Sequence, residues 1–216
     1  MADVLRDGGI EEPFEVQTKT IPGALEGRDV CCRAPTGSGK TLAFGIPLVT
    51  MSPKAEPKRP TSLILTPTRE LAEQIRGVLR PLADSIGIRI ASVYGGTPYK
   101  GQYRRLNKGV EILVACPGRL IDLLERGALR LDDVGIVVLD EADRMADMGF
   151  MQPVCSILDK CKKDRQTILF SATLDDEVSE IVDSYQDDPL TVGIGPEDVS
   201  MDSMQHFFWR INSRGK

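Results

Sequence analysis

Histidine and tryptophan each occur once in the 216 residues, at His206 and Trp209, and aromatic residues make up only 5%. A single histidine with no acidic or cysteine partner at metal-ligand spacing excludes a histidine-built metal centre, and both residues read as packing groups. Five cysteines, Cys31, Cys32, Cys116, Cys155 and Cys161, include no C-x-x-C pair and leave one over. That pattern argues against a zinc site or a disulfide framework and predicts buried free thiols in a reducing compartment. Long apolar runs are missing too: residues 135–139 and 168–170 fall far short of the roughly 18 that a membrane span needs. The first residues, MADVLRDGGIEEPF, mix acids and bases and lack the apolar core of a secretory signal, so cytoplasmic residence is expected. Bulk positive charge is also absent, with 27 Lys and Arg against 32 Asp and Glu and a net charge of −5. Nucleic-acid binding through a generally cationic surface is thereby excluded, and any such site has to be local, built from a few well-placed donors.

What is present is an ordinary globular composition, 41% hydrophobic and 27% charged, enough for one domain with short extensions. Apolar runs rich in β-branched residues recur at 29–33, 62–66, 88–94, 111–116, 136–140, 167–170 and 190–194, and read as buried strands. Helical patterns lie between them at 40–49, 69–83, 99–107, 119–125, 151–160 and 175–185. This alternation predicts an α/β fold with a mostly parallel sheet covered by helices on both faces. The prolines and lysines of 52–60 suit an exposed connection. Polar, acidic residues after Gly195 and an apolar pattern that stops short suggest a cut near a domain boundary.

The run Ala34-Pro35-Thr36-Gly37-Ser38-Gly39-Lys40-Thr41 follows a predicted strand and opens a predicted helix, the context that a phosphate-binding loop requires. Gly37 and Gly39 would let backbone N–H groups wrap a β-phosphate, and the helix N-terminus favours an anion. Lys40 would reach the β and γ phosphates, and the Thr41 hydroxyl would bind Mg²⁺. The strict pattern begins with Gly, where this chain has Ala34.

The run Val137-Val138-Leu139-Asp140-Glu141-Ala142-Asp143 ends the most apolar strand on carboxylates, where parallel sheets carry their ligands. Asp140 would hold Mg²⁺ through water, and Glu141 would orient or deprotonate the water that attacks the γ-phosphate. The alternative is an acidic helix N-cap.

AxTGSGKT, PTREL at 67–71, DEAD at 140–143 and SAT at 171–173, in that order, resemble the first RecA-like domain of DEAD-box RNA helicases. The resemblance runs from about Gly9 to Lys216, and Ala34 at the loop start is usual in that family. It implies a three-layer RecA-like P-loop domain at 23–198. An N-terminal segment at 1–22 would carry Gln17, whose amide reads the adenine edge. Residues 199–216 would begin a linker to a second RecA-like domain. The implied cofactors are ATP and Mg²⁺. The implied partner is RNA, held by its backbone without base preference through Pro67, Thr68 and Arg69, Gly95 and Gly96, and Pro117, Gly118 and Arg119. Asp143, Ser171 and Thr173 would couple the two sites through the hydroxyls. A strand end that merely caps the helix at Asp175 is the alternative reading of 171–173. The family usually has an aromatic residue at Ile10 and Thr at Cys116.

The implied activity is RNA-dependent ATP hydrolysis driving local duplex unwinding by a monomeric two-domain parent. The 216-residue chain alone is expected to bind nucleotide weakly, hydrolyse slowly and not unwind. A different P-loop machine, such as a DNA translocase or small-molecule kinase, and a nucleotide-gated adaptor without turnover are the rival readings.

Overall fold

A computed structural model describes residues 1–195. The expected linker at 199–216, with His206 and Trp209, lies outside the described residues, as do residues 196–198 of the expected domain. Seven strands form one sheet: β1 (Val30–Arg33), β2 (Ser62–Leu65), β3 (Ile90–Val93), β4 (Ile112–Ala115), β5 (Ile136–Asp140), β6 (Gln166–Ser171) and β7 (Leu190–Gly193), in the order β3-β4-β2-β5-β6-β1-β7. Every pairing between these strands is parallel.

Alternation within each strand divides the core into two halves, because successive side chains point to opposite faces. Cys31, Leu63, Leu113, Val137, Leu139 and Leu169 look to one face. Cys32, Ile64, Val114, Val138, Ile168 and Phe170 look to the other. Four helices cover the second face: α1 (Ala2–Asp7), α2 (Glu15–Leu25), α3 (Lys40–Met51) and α4 (Arg69–Ser85). Five cover the first: α5 (Tyr99–Asn107), α6 (Pro117–Glu125), α7 (Ala142–Asp147), α8 (Met151–Leu158) and α9 (Asp176–Tyr185). The result is the parallel sheet covered by helices on both faces that the alternation predicted, in the three layers that the family resemblance implied.

Local chemistry sets the helix starts. Thr68 caps α4 by accepting from the Leu71 N–H at 3.3 Å, and Asp175 caps α9 by accepting from the Val178 N–H at 2.9 Å. The helix expected at 119–125 begins two residues earlier because Pro117 takes its first position, where a missing N–H costs nothing. The one expected at 151–160 ends at Leu158. Helix α3 lies so close to α4 that a Cβ on Gly45 would sit 2.1 Å from Leu79 Cδ2. All five cysteines are free thiols; Cys31, Cys32 and Cys161 are buried, whereas Cys116 and Cys155 are only half-buried, contrary to the expectation for the full set. No helix among the described residues is long and apolar enough to cross a membrane.

Candidate nucleotide and RNA site

The loop after β1 carries two left-handed glycines, Gly37 at φ 86° and Gly39 at φ 91°, a conformation that side chains resist. Gly39 also has no room for a side chain: a Cβ there would lie 2.4 Å from Phe14 Cδ2 and 2.7 Å from Gln17 Nε2. The loop base is fixed to the sheet by the Ala34 N–H, which donates to the Ser171 carbonyl at 2.9 Å. Lys40 is buried, and its ammonium donates to the Ala34 carbonyl at 3.1 Å. An ammonium has three donors, so the geometry leaves capacity for a ligand anion. Ser38 Oγ, in the same loop, is buried with no partner. Pro35, Thr36 and Gly37 are exposed, and Thr41 is half-buried in the first turn of α3.

Asp140 ends β5, and only β6 lies between its strand and β1. It is 5% exposed and its Oδ1 has no hydrogen-bond partner. Burial pushes its carboxyl up to about 6, with the Lys40 ammonium pulling the other way and the Glu141 charge adding to the rise. A buried carboxylate with one unpartnered oxygen, under the field of a buried ammonium, is an incomplete charge set, of the kind a hard cation and a phosphate complete. The donor set of Asp140, Thr41 and Lys40 therefore fits a magnesium–nucleotide pair. Glu141 follows in the left-handed region at φ 54°, a strain that non-glycine residues carry mainly where function requires it. It occupies the N-cap position of α7 but makes no side-chain cap, so the alternative reading of the acidic pair as a simple helix cap fails. Instead its Oε2 accepts from Arg144 Nη1 at 2.7 Å, leaving the other oxygen available.

Ser171 joins these parts. Its carbonyl anchors Ala34, and its hydroxyl accepts from the Asp143 N–H at 3.0 Å. Asp143 Oδ2 in turn accepts from the N–H groups of Ala172 and Thr173 at 3.2 and 3.3 Å. The link at Thr173 is thus made by its backbone rather than by its hydroxyl, as had been expected.

Gln17 is buried in α2. Its Oε1 accepts from the Phe14 N–H and its Nε2 donates to the Gly39 carbonyl, each at 3.0 Å. One N–H and one lone pair of the amide remain, enough for a donor–acceptor pair on a base edge. A groove of about 420 Å³ opens here, lined by Ile10, Glu12, Phe14, Gln17, Gly39 and Leu42.

The strand order β3-β4-β2 brings the loops carrying the expected RNA residues side by side. Pro67 is buried below Arg69, which is exposed and lies over the Tyr94 ring at 5.3 Å. Gly95 and Gly96 are exposed, with Gly96 at φ 73°. Gly118 is exposed at the start of α6, beside buried Pro117. Arg119 differs from expectation: its guanidinium stacks on Tyr99 at 4.3 Å from the ring centroid, and Nη1 donates to the Thr97 carbonyl at 3.0 Å. Its side chain is only 10% exposed, and through these contacts it braces the Gly95–Gly96 loop. Arg144, Phe14 and Tyr99 escaped the sequence reading. Arg144 had a signal, since it stands three residues after Glu141 and would face it on any helix.

An all-parallel three-layer domain with a glycine loop ending one strand and an unpartnered acid ending another defines a P-loop nucleotide-binding domain. The DEAD/DEAH box helicase family model matches residues 14–181, and the chain belongs to that family. It is 44% identical over 199 residues to DEAD-box ATP-dependent RNA helicase 9 of Oryza sativa subsp. japonica, covering 90% of this chain and 31% of that protein. It is 38% identical over 218 residues to the DEAD-box ATP-dependent RNA helicase CshA of Streptococcus pneumoniae serotype 4, covering 100% of this chain and 41% of the relative. A hypothetical ATP-dependent RNA helicase from Sulfolobus tokodaii matches in structure with a TM-score of 0.82 and 39% identity, over 89% of this chain and 56% of that one. The chain thus spans about a third to two fifths of these curated relatives.

Proposed function

We propose that this chain is the ATP-binding domain of an RNA helicase whose parent couples ATP hydrolysis to local RNA unwinding or remodelling of RNA–protein complexes. The observation that carries the reading is Asp140, buried at a strand end with an unpartnered oxygen and electrostatically coupled to the Lys40 ammonium. Residues 34–41 would wrap the phosphates, with Lys40 on the β and γ groups, and the free half of the Gln17 amide would meet the adenine edge in the groove beside Gly39. Thr41 and, through water, Asp140 would hold Mg²⁺, which neutralises phosphate charge when bound. Glu141 uses its free oxygen to orient the attacking water or take its proton, while Arg144 fixes the other oxygen. Pro67, Thr68, Arg69, Gly95, Gly96 and Gly118 offer RNA a backbone-reading surface that ignores base identity. Asp143, Ser171 and Thr173 connect that surface to the phosphate loop.

The fuller reading adds a second RecA-like domain of the same parent, a monomeric unit and a cytoplasmic location. The free cysteines support a reducing compartment. The test uses Lys40→Ala and Glu141→Gln in the full-length parent. Lys40→Ala should weaken binding of a fluorescent ATP analogue by at least about tenfold, since charge-assisted contacts to phosphate are the strong ones. Glu141→Gln should bind as tightly as the unaltered parent while single-turnover hydrolysis is lost. Normal hydrolysis by Glu141→Gln would remove it from the mechanism, and nucleotide binding indifferent to Lys40 would remove the site.

A further inference from the structure

Residues 95–110 contain four cations, Lys100, Arg104, Arg105 and Lys108, and no acid, in a chain whose net charge is −5. Helix α5 supplies most of them. Its inward face carries Gln102 and Leu106, both buried. Lys100 and Arg104 on the helix and Lys108 at its end are spaced four residues apart, which puts them along one side over about 12 Å. All three are exposed, and none forms an ion pair or side-chain hydrogen bond among the described residues. Arg105 is set apart, donating to the Ser92 carbonyl at 3.4 Å. Three neighbouring unpaired cations repel one another, a cost that the C-terminal end of the helix dipole offsets only in part.

The helix is locked to the loop that begins the RNA surface. Gln102 Nε2 donates to Thr97 Oγ1 at 2.8 Å and to the Tyr94 carbonyl at 3.3 Å, on either side of Gly95 and Gly96. Arg119 stacks on Tyr99 and holds the Thr97 carbonyl, and Arg126 lies over the same ring at 4.7 Å. The arginine that sequence reasoning assigned to RNA thus fixes the start of α5 against the Gly95–Gly96 turn. Beside the cations, Tyr103 and Asn107 complete a shallow groove of about 580 Å³. A ring and an amide beside a row of cations suit a single strand whose backbone is anionic and whose bases stack without sequence preference.

We propose that the Lys100–Arg104–Lys108 stripe is a second RNA contact, which takes the strand onward from the Gly95–Gly96 turn and holds its phosphates along α5. This rests on the reading of the chain as an RNA-binding domain and extends its footprint beyond the loops at the sheet edge. It also explains how an acidic chain binds a polyanion, by confining the positive field to one helix.

The experiment compares the unaltered chain with Lys100→Glu/Arg104→Glu/Lys108→Glu, and with the corresponding triple glutamine variant, for binding single-stranded RNAs of about 6 and about 16 nucleotides. Circular dichroism and nucleotide binding would verify that both variants fold. The longer RNA should bind the variants at least about tenfold more weakly, and its salt dependence should become shallower by about 2, near 0.7 for each cation removed. Binding of the shorter RNA should not change. Long-RNA affinity and salt slope unchanged in both variants would overturn the stripe while leaving the RNA reading intact. Failure of the unaltered chain to bind either RNA would overturn both. Poly-glutamate displacing the long RNA at equal charge concentration would overturn the assignment to RNA in favour of an acidic protein partner.

Discussion

Asp140 shows most directly how a site side chain can work against the fold that holds it. Its carboxyl is 5% exposed, and its unpartnered Oδ1 forgoes the hydrogen bonds that water would give. The distance from the ordinary 3.8 to about 6 corresponds to on the order of 3 kcal/mol against the ionised form. Because the folded chain holds this proton more tightly than the unfolded chain, Asp140 weighs least on stability below about pH 4. Stability is then lost as pH rises through about 6, where the buried group must ionise. Asp140→Asn should therefore stabilise the nucleotide-free chain at pH 7 by on the order of 1–3 kcal/mol and change it little near pH 4. Urea denaturation at the two pH values measures this. An asparagine variant less stable than the parent at pH 7 would show that Asp140 is paired in a way its geometry does not indicate. Nucleotide binding should move in the opposite sense, weakening as pH falls through 6, because a protonated carboxyl cannot hold a cation.

Where elements meet, the end of β6 and the start of α7 share one set of groups. Ser171, fully buried, accepts from the Asp143 N–H, and Asp143 accepts from the backbone just after Ser171. Ser171→Ala leaves that N–H without its acceptor and should cost about 1–3 kcal/mol. Adding Asp143→Ala to it should cost less than the sum of the two single changes by at least about 0.5 kcal/mol. Urea denaturation of the three variants closes this cycle, and simple additivity would mean that the two turns do not support each other. The strands around this junction were legible because β5 is five buried residues in a row and β6 six. Helix α2 was not, since EVQTKTIPGAL carries two threonines, a proline and a glycine, all poor helix formers. It is helical because Val16 and Ala24 are buried against α3 and because Gly23 lets Leu190 approach, with Leu190 Cδ2 2.6 Å from where a Cβ would be. Helix α7 is six residues long, too short to show a period. The phosphate loop and the acidic pair were readable because local spacing carries their chemistry. The Gln17–Gly39 contact spans 22 residues and the Arg119–Thr97 contact another 22, and only the folded chain brings those partners together.

For the whole molecule, the decisive feature is that the groups assigned to the phosphates and the metal follow the carboxyl ends of β1 and β5, along one end of one sheet. Lys40, Asp140 and Glu141 are buried, but Pro35, Thr36 and Gly37, which face the bound phosphates in the proposed mode, are exposed. Fixed dipoles act most strongly on developing charge where water is excluded, and a γ-phosphate held in the proposed mode beside the exposed Pro35, Thr36 and Gly37 would meet solvent there. No arginine is paired with the phosphate loop from that side among the described residues: Arg144 is committed to Glu141 and Arg119 to the Tyr99–Thr97 corner. In related phosphoryl-transfer enzymes, an arginine supplied across such an opening accelerates turnover by about 10³ to 10⁵. The chain by itself should therefore bind ATP yet hydrolyse it slower by a factor of that order than a relative carrying both domains, and it should not separate a short RNA duplex. RNA should leave the slow rate nearly unchanged, because the strand then touches only one wall of the cleft and has nothing to close against. Single-turnover hydrolysis of radiolabelled ATP with and without RNA, alongside a gel-based unwinding assay, measures all three. Rapid RNA-stimulated hydrolysis or unwinding by the 216 residues alone would mean that this single sheet end already contains a complete motor.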